Sequence, residues 1–364
     1  MTTAEKTILI AGGKTGGHLF PGIAVAEVLR QRGLTVVFVG SRGGLEEKEL
    51  PARGFTLEFV TVGGLKGKNI IETIKNLAVL PIALLQALRL IGKHRADAVV
   101  SLGGFAAGPV ALAAWLRRRA VYAMEQNSIP GITNRIVGRF ADRIFMSFPD
   151  VRGRFPAGRT LLTGNPVRRE VIDCARKRLD TDRPVLAVFG GSQGAASLNE
   201  LMMRLVADHP AVANGFYIIH QTGERDLAAV RAHYAAHGVE AEIQPFVRDI
   251  GSYYKAADII VCRAGATTIA ELAALGKPAI YVPFPHAADN HQYYNARSVV
   301  EQGGGIVVED AGPVAEKAAK LAAALDQFAK NREVWRSRMT ALTENRADVV
   351  IADAILSGIG GGAA

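Results

Sequence analysis

The stretch that decides the fold is residues 262–296, CRAGATTIAELAALGKPAIYVPFPHAADNHQYYNA. It opens on the end of an apolar run at 258–262, which predicts a short buried strand. A turn of small residues leads into a helical pattern that ends near Gly276, because Pro278 blocks its continuation. A second strand is predicted at 279–282. A strand, a helix and another strand in such short order indicate a parallel sheet covered by helices.

The start of that helix is a candidate ligand site. A helix N-terminus presents N–H groups and a partial positive charge, which suit a phosphate or diphosphate. Thr267 or Thr268 can cap the helix, and Glu271 follows Thr268 at the spacing of a capping box. Glu271 either completes that cap or accepts hydrogen bonds from the vicinal hydroxyls of a sugar. The local pattern favours the cap, whereas the rest of the chain favours the ligand.

The composition describes a globular protein of two domains. The chain has 364 residues, which is long for a single core, and it is 49% hydrophobic and 21% charged. Its two cysteines are too few for a disulfide framework, which indicates a reducing compartment. No signal peptide opens the chain, and no apolar run reaches the roughly 18 residues needed to cross a bilayer.

The charge balance favours an anionic partner. The 43 Lys and Arg residues outnumber the 34 Asp and Glu residues and give a net charge of +9. Nucleic acid, an anionic membrane face and a phosphorylated substrate all suit this balance. Because the chain has no nucleic-acid motif and no interleaving of basic and aromatic residues, we expect no nucleic-acid partner.

Strand and helix patterns alternate along both halves of the chain. Strands are predicted at residues 7–11, 35–39, 57–62, 98–102, 120–124, 143–148, 185–189, 216–221, 241–247, 258–262, 279–282 and 305–308. Each half begins with an apolar strand that enters a glycine turn. We therefore predict an α/β protein with two Rossmann-like, doubly wound parallel-sheet domains. The first domain is residues 1–163, the second is 164–340, and a C-terminal helix at about 341–358 packs back on the first.

The first glycine turn, GGKTGGH at residues 12–18, matches neither of two nucleotide-binding motifs. A P-loop requires glycine where Ile8 stands, and a dinucleotide fingerprint requires glycine where Lys14 stands. Arg42 follows the second strand and suits a 2′-phosphate, so an NADP enzyme stays open as a weak alternative. The turn lets a bulky polar ligand approach the backbone, with His18 at the start of the next helix.

His18 is a candidate general base. The positive end of the helix disfavours protonation of its imidazole, and a neutral imidazole at pH 7 is what a base needs. The alternative is that His18 caps the helix or fills a polar corner. The other histidines have no metal-ligand spacing, and the D-x-D sequence at 180–182 lies in a polar linker. We therefore expect no resident metal and no other cofactor.

Residues 74–95, IKNLAVLPIALLQALRLIGKHR, are more apolar than an ordinary surface helix and are surrounded by lysines and arginines. An apolar patch with a basic fringe can rest on an anionic membrane. The alternative is a core helix between sheet and solvent. Because Pro81 interrupts the run and leaves part of it exposed, the pattern favours membrane contact.

Seven stretches together resemble a known family. They are GGKTGGH, GGFAAGP, EQN, TGNPVR, GGSQGA, CRAGATTIAEL and PFPHAADNHQYYNA, in this order along nearly the whole chain. The set is similar to the peptidoglycan GlcNAc transferases, which convert lipid I to lipid II and belong to the two-domain GT-B glycosyltransferases. Lys14 stands where that family usually has glycine, and Phe105 stands where tyrosine is frequent.

The resemblance implies a fold in which the two domains face each other across a cleft. It implies an inverting transfer of GlcNAc from UDP-GlcNAc to the C4 hydroxyl of undecaprenyl-diphosphate-linked MurNAc-pentapeptide. The first domain would bind this acceptor and the second the donor. It also implies a peripheral protein on the cytoplasmic face of the cell membrane, with other proteins of cell-wall synthesis as partners.

The resemblance also assigns residues to the two substrates. His18 would deprotonate the acceptor hydroxyl, Glu271 would hold the ribose hydroxyls, and the backbone of Ile250 would read uracil. The implied acceptor residues are Thr15, Gly16, Gly17, His18, Gly104, Asn127 and Asn134. The implied donor residues are Thr15, Gly16, Gly17, Asn127, Arg168, Ser192, Ile250, Thr267, Thr268, Glu271 and Gln292, the last contacting the GlcNAc.

Two alternatives stay open at this point. A UDP-GlcNAc 2-epimerase shares the architecture and the donor pocket, but it needs no lipid acceptor and no apolar patch. A binding-only subunit of a larger glycosyltransferase is the non-enzyme alternative. Such subunits usually carry one of the two domains, whereas this chain carries both with their polar loops.

Overall fold

The computed structural model of the protein describes residues 6–13, 15–63, 70–150, 152–191, 193–340 and 346–360. The chain forms two compact units. The first unit is Met1–Arg168 together with Arg346–Ala364, and the second is Arg169–Asn345. The chain first passes between units a few residues after the boundary predicted at 163, and its last helix belongs to the first unit.

The described residues form two parallel sheets. Their strands are β1 (Thr7–Ala11), β2 (Thr35–Gly40), β3 (Thr56–Phe59), β4 (Ala98–Ser101), β5 (Ala120–Glu125), β6 (Arg143–Met146), β7 (Thr160–Leu162), β8 (Val185–Phe189), β9 (Tyr217–Gln221), β10 (Ala241–Gln244), β11 (Ile259–Cys262), β12 (Ala279–Tyr281) and β13 (Gly305–Val307). The strand order is β3-β2-β1-β4-β5-β6-β7 in the first unit and β10-β9-β8-β11-β12-β13 in the second. The predicted fold class, two Rossmann-like parallel sheets, is confirmed.

Helices connect these strands. They are α1 (Gly16–Gln31), α2 (Glu46–Ala52), α3 (Ile70–Lys93), α4 (Ala107–Leu116), α5 (Ile132–Val137), α6 (Arg169–Ile172), α7 (Ala196–Asp208), α8 (Pro210–Ala213), α9 (Leu227–Ala236), α10 (Ile250–Ala256), α11 (Ala266–Ala274), α12 (His291–Val300), α13 (Val314–Thr340) and α14 (Ala347–Gly360). Short 3₁₀ turns occupy Ala157–Arg159 and Ala288–Asn290. α1–α5 and α14 belong to the first unit, and the others belong to the second.

Every predicted strand is present, but several end earlier than their apolar runs. β3 ends at Phe59 instead of residue 62, so the apolar residues that follow belong to a loop. The sequence does not predict β7, which has three residues with one of them exposed, because so short a run is not distinctive.

The central strand β1 explains why the sheet residues are apolar on both faces. Successive side chains of a strand point to opposite faces. Leu9 lies in the core shared with α3 and α4, whereas Ile8 and Ile10 lie in the core shared with α1 and α14. All three side chains are fully buried. Burial of each stabilises the fold by about 1.5–3 kcal/mol, which accounts for the continuous apolar run.

The last helix, α14, completes the first unit. Its residues Ile351 and Ile355 are fully buried in the core that contains Ile8. The ammonium of Lys6 donates to the carbonyl oxygen of Ile359 at 2.6 Å, which ties the start of the chain to the end of α14. Part of one face of the first sheet is therefore covered by a segment that follows the whole second unit in the sequence.

A buried histidine anchors the sheet of the second unit. His220 of β9 has no exposed surface, and its Nδ1 lies 2.9 Å from the hydroxyl of Tyr234 in α9. Its Nε2 lies 3.1 Å from Oδ1 of Asn199 in α7. Burial lowers the pKa of His220 to about 3, so the folded protein keeps this imidazole neutral far below the usual titration range.

The neutral His220 predicts a loss of stability in acid. The unfolded chain takes up a proton near pH 6.5, whereas the folded protein does not until about pH 3. The contribution of His220 is therefore complete above pH 6.5 and falls by up to about 1.4 kcal/mol for each pH unit below it. His220→Gln removes this titration while keeping polar atoms near Asn199 and Tyr234.

Urea unfolding at a series of pH values measures this effect. We expect the free energy of unfolding of His220→Gln to fall less steeply than that of the wild type between pH 6.5 and about 4. His237→Gln, at an exposed position, is the matched control and should keep the wild-type slope. Equal slopes for His220→Gln and the wild type would contradict the assignment.

Candidate active site

Two glycine turns meet at the carboxyl edge of the first sheet. β1 and β4 are neighbours, and each is followed directly by a turn. A Cβ atom at Gly12 would collide with the carbonyl oxygen of Gly103, and Gly12 has a φ of +113°, so a side chain is excluded twice over. Around Gly17 the space is open, with no heavy atom within 4 Å of an added Cβ. The turn therefore leaves open space next to the backbone of Gly17.

His18 lies beside this turn, in the first turn of α1. The N-cap residue is Thr15, whose side chain makes no capping hydrogen bond and instead places Oγ1 3.1 Å from Nδ1 of His18. In the tautomer whose Nδ1–H donates to Thr15, the basic lone pair is on Nε2. The imidazole is half-buried, and its Cδ2 lies near Gly103.

A cavity of about 540 Å³ opens next to His18. One side consists of the two glycine turns and includes the predicted residues Thr15 and Gly104. Phe105, which is 44% exposed, lies on the same side. The cavity is also lined by Arg42, Phe59, Val60, Thr61, Val62, Gly63 and Gln86.

A buried carboxyl organises the loop after β5. Glu125 accepts hydrogen bonds from the backbone N–H of Asn127 at 2.9 Å, from that of Gly131 at 3.2 Å and from the amide of Asn134 at 3.0 Å. Burial raises the pKa of Glu125, although these hydrogen bonds oppose the rise. The carboxyl thus positions the half-buried Asn127 at the sheet edge.

Asn134 belongs to the same hydrogen-bond network. Its amide also donates to the carbonyl of Met124 at 2.8 Å, and its oxygen accepts from the hydroxyl of Ser101 at 3.2 Å. Only 2% of the residue is exposed. Asn134 therefore fixes the loop after β5, and its contact with the acceptor stays a prediction.

The predicted donor residues fall in both units. Thr15, Gly16, Gly17 and Asn127 are in the first unit with Arg168, whose guanidinium lies 3.9 Å from the ring centroid of Phe20 in α1. Ile250, Thr267, Thr268, Glu271 and Gln292 are in the second unit. Ser192, like Lys14, lies outside the described residues.

The helix α11 begins earlier than its sequence predicts. Its N-cap is Gly265, in extended conformation and with no side-chain capping bond, so the predicted capping box of Thr268 and Glu271 is wrong. The backbone enters the helix before either threonine is reached. Thr267 and Thr268 therefore lie in the first turn, and Glu271 lies in the second with 4% of its surface exposed. Glu271 therefore does not complete a capping box at the start of α11.

The remaining donor candidates also begin helices. Ile250 is the first residue of α10, and its neighbour Asp249 caps that helix by accepting from the N–H of Ser252 at 3.4 Å. Gln292 lies in the first turn of α12, where its side-chain oxygen accepts from the N–H of Phe284 at 2.9 Å. α10, α11 and α12 follow β10, β11 and β12 in the chain, so these residues share the carboxyl edge of one sheet.

Sequence reasoning misses a buried ionic network behind α11. The guanidinium of Arg263 donates to the carbonyls of Val282 and Pro283 at 3.0 and 3.2 Å. It also contacts Asp310 at 2.9 Å, and Lys317 contacts the other oxygen of Asp310 at 2.7 Å. Burial opposes the charge, but hydrogen bonds from Lys317, Ser197 and Arg263 leave the pKa of Asp310 below its ordinary value. The network fixes the loops that precede α11 and follow β12.

Among the described residues, no group of three or more His, Cys, Asp or Glu side chains is placed to hold a metal ion. Likewise, none of the helices described is both long and apolar enough to cross a membrane.

Comparison with known proteins decides the family. Two family models match, the glycosyltransferase family 28 N-terminal domain at residues 8–146 and the family 28 C-terminal domain at 185–353. A protein of Anaeromyxobacter sp. (strain Fw109-5), named UDP-N-acetylglucosamine--N-acetylmuramyl-(pentapeptide) pyrophosphoryl-undecaprenol N-acetylglucosamine transferase, is 46% identical over 95% of this chain and 92% of its own. This chain belongs to that transferase family, within glycosyltransferase family 28.

Other family 28 comparisons agree. The transferase of the same name from Myxococcus xanthus (strain DK1622) is 40% identical over 95% of this chain and 91% of its own. The crystal structure of Acinetobacter baumannii MurG has a TM-score of 0.75 and 28% identity, covering 97% of this chain and 99% of that one. A UDP-N-acetylglucosamine 2-epimerase structure, with a TM-score of 0.64 and 13% identity over 98% and 97% of the chains, shares the fold alone.

Proposed function

We propose that this protein transfers GlcNAc from UDP-GlcNAc to the C4 hydroxyl of lipid I, giving lipid II and UDP in peptidoglycan synthesis. The observation that carries this function is the 40–46% identity, over 95% of the chain, to relatives whose names state this donor and acceptor. The epimerase alternative has only a likeness of fold. The two family models that match are glycosyltransferase domains and give the NADP alternative no support.

The acceptor is assigned to the first unit, with His18 as general base. The C4 hydroxyl gives its proton to Nε2 of His18 while its oxygen attacks C1 of GlcNAc. UDP leaves from the opposite face, so the anomeric centre is inverted. In the tautomer whose Nδ1–H donates to the hydroxyl of Thr15, Nε2 carries the lone pair that this step needs. The backbone of the glycine turns, Gly16 and Gly17 included, binds the lipid diphosphate near the start of α1.

The donor is assigned to the second unit. The first turn of α11, with Thr267 and Thr268, stabilises the diphosphate and the charge that develops on departing UDP. Glu271 accepts hydrogen bonds from the ribose hydroxyls, and the backbone of Ile250 reads uracil. Gln292 orients the GlcNAc. Arg168, Asn127 and Ser192 are carried over from the family resemblance as further donor contacts.

The reaction needs no resident metal in this proposal. Helix N-termini and neutral donors supply the stabilisation that a divalent cation gives in other transferases. A chelator in the activity assay tests this assignment.

The place of action is proposed to be the cytoplasmic face of the cell membrane, with proteins of cell-wall synthesis nearby. The packed helices α3 and α4 carry Leu80, Ile82, Leu85, Trp115 and Leu116, each between 42 and 57% exposed. Arginines at 117–119 follow α4 directly. Exposed apolar side chains beside basic ones suit insertion at an anionic lipid surface. This arrangement supports the membrane contact predicted for residues 74–95.

The decisive experiment is UDP release from UDP-GlcNAc by the purified protein, with and without a short-chain lipid I analogue. We expect release only with the acceptor, GlcNAc on the lipid product, and no loss on addition of EDTA. Release without acceptor would support an epimerase or a hydrolase instead. Donor binding without turnover would support a binding subunit.

The role of His18 predicts a split between turnover and donor binding. His18→Ala should lower kcat by about 10²–10⁴-fold, because the acceptor hydroxyl loses its base. The affinity for UDP-GlcNAc, measured by calorimetry, should stay within about twofold of the wild type. Near-normal turnover would remove His18 from this role.

The role of Glu271 predicts a loss of donor affinity. Glu271→Ala should weaken UDP binding by about 10- to 100-fold, because hydrogen bonds to a charged group are lost. The same variant should bind 2′,3′-dideoxy-UDP about as well as the wild type does, since that ligand lacks the hydroxyls. A similar loss for both nucleotides would assign Glu271 a structural role only.

A further inference from the structure

Residues 61–63, which line the cavity next to His18, lie beyond the strand pairing of β3. β3 ends at Phe59, and the N–H of Val60 makes a last hydrogen bond to the carbonyl of Gly40 at 3.0 Å. The guanidinium of Arg42 stacks on Phe59, 4.7 Å from the ring centroid. Beyond Val60 the chain runs along the cavity as far as Gly63. Its position there has to come from another element.

Gln86 of α3 supplies that support. Its side-chain oxygen accepts from the N–H of Thr61 at 2.7 Å, and its side-chain nitrogen donates to the hydroxyl of Thr61 at 3.0 Å. The amide thus binds Thr61 through two hydrogen bonds, in the way that a neighbouring strand would. Both residues line the cavity that contains His18.

The helix that carries Gln86 is fixed independently of this pair. Ala83 and Ala87 are fully buried, and Ala87 lies in the core of the first sheet. Near the end of α3, Lys93 and His94 contact Glu58 of β3 at 2.6 and 2.8 Å. Because the helix stays in place without the amide, the Gln86 pair acts on the loop and not on α3.

We propose that Gln86 is a positioning residue for acceptor binding, holding residues 61–63 as the wall of the cavity that faces His18. This inference rests on the proposed function, in which the acceptor occupies the first unit. Gln86 moves no proton and touches no donor residue assigned above. Its loss should therefore raise the KM for the acceptor and leave the KM for UDP-GlcNAc unchanged. Leu85, next to Gln86 in α3, is 57% exposed. The turn of α3 that holds residues 61–63 therefore also presents an apolar side chain to solvent.

Three substitutions should change the acceptor KM by different amounts. Gln86→Leu keeps the size of the side chain but removes both hydrogen bonds, and the acceptor KM should rise about tenfold. Thr61→Val removes only the hydroxyl bond, and about a threefold rise is expected. Gln86→Glu keeps an acceptor for the N–H of Thr61 and can accept from its hydroxyl, so it should stay close to the wild type.

The matched control is Glu58→Gln. It weakens the other link between α3 and β3, away from the cavity, and should lower the melting temperature without changing the acceptor KM. Initial rates with a short-chain lipid I analogue, at varied acceptor and then at varied donor, give both constants. If Gln86→Leu does not fold, Thr61→Val and Gln86→Glu carry the comparison.

The outcomes are distinct. A wild-type protein that transfers no GlcNAc would overturn the proposed function and this inference with it. Normal transfer with an unchanged acceptor KM in Gln86→Leu or Thr61→Val would overturn the inference alone. A rise shared by Glu58→Gln, or an equal rise in the donor KM, would also overturn it, because either pattern indicates general loosening of the unit.

Discussion

The contact between two glycine turns is the constraint on which the first unit's site depends. Where Gly12 faces the carbonyl oxygen of Gly103, no side chain fits, so the ends of β1 and β4 approach as closely as backbone allows. That contact fixes the start of α1, and with it His18, against the turn that follows β4. The second unit has a close backbone approach at Gly194, in the turn after β8, where an added Cβ would collide with the carbonyl oxygen of Thr222 after β9.

Buried polar side chains then fix the loops that strand pairing does not reach. Glu125 gathers three donors from the loop after β5, and Arg263 ties the turn before α11 to the chain after β12. Such networks stiffen a site when every member has a partner. They also make the site sensitive to mutation. Removing one partner of a buried ion pair such as Arg263 and Asp310 lowers the free energy of unfolding by about 3–5 kcal/mol.

Most of the fold could be predicted from the sequence, because strands buried on both faces produce continuous apolar runs that are easily recognised. The site was harder. The start of α11 at Gly265 depends on a backbone angle that residue types do not encode, so the threonines that follow look like caps. The Arg263 network joins residues far apart in the chain, and no local pattern signals it. The Gln86 pair is equally non-local.

Residue roles came from the resemblance to a family more than from spacing. His18 illustrates the difference, since its position at a helix start was readable but its contact with the hydroxyl of Thr15 was not. Asn134 is a second example. Its place after a strand end suggested a ligand contact, which stays a prediction, but its hydrogen bonds to Ser101 and Glu125 were not readable from the sequence.

The return of α14 to the first unit has a consequence for the order of folding during synthesis. Residues Arg169–Asn345 form a compact unit of their own, inserted in sequence within the first. A ribosome therefore completes the second unit while the first sheet still lacks the helix that covers Ile8. Domains that emerge whole can fold as they appear. In this chain the unit that begins first is finished last, and until α14 emerges its apolar face needs protection from other chains.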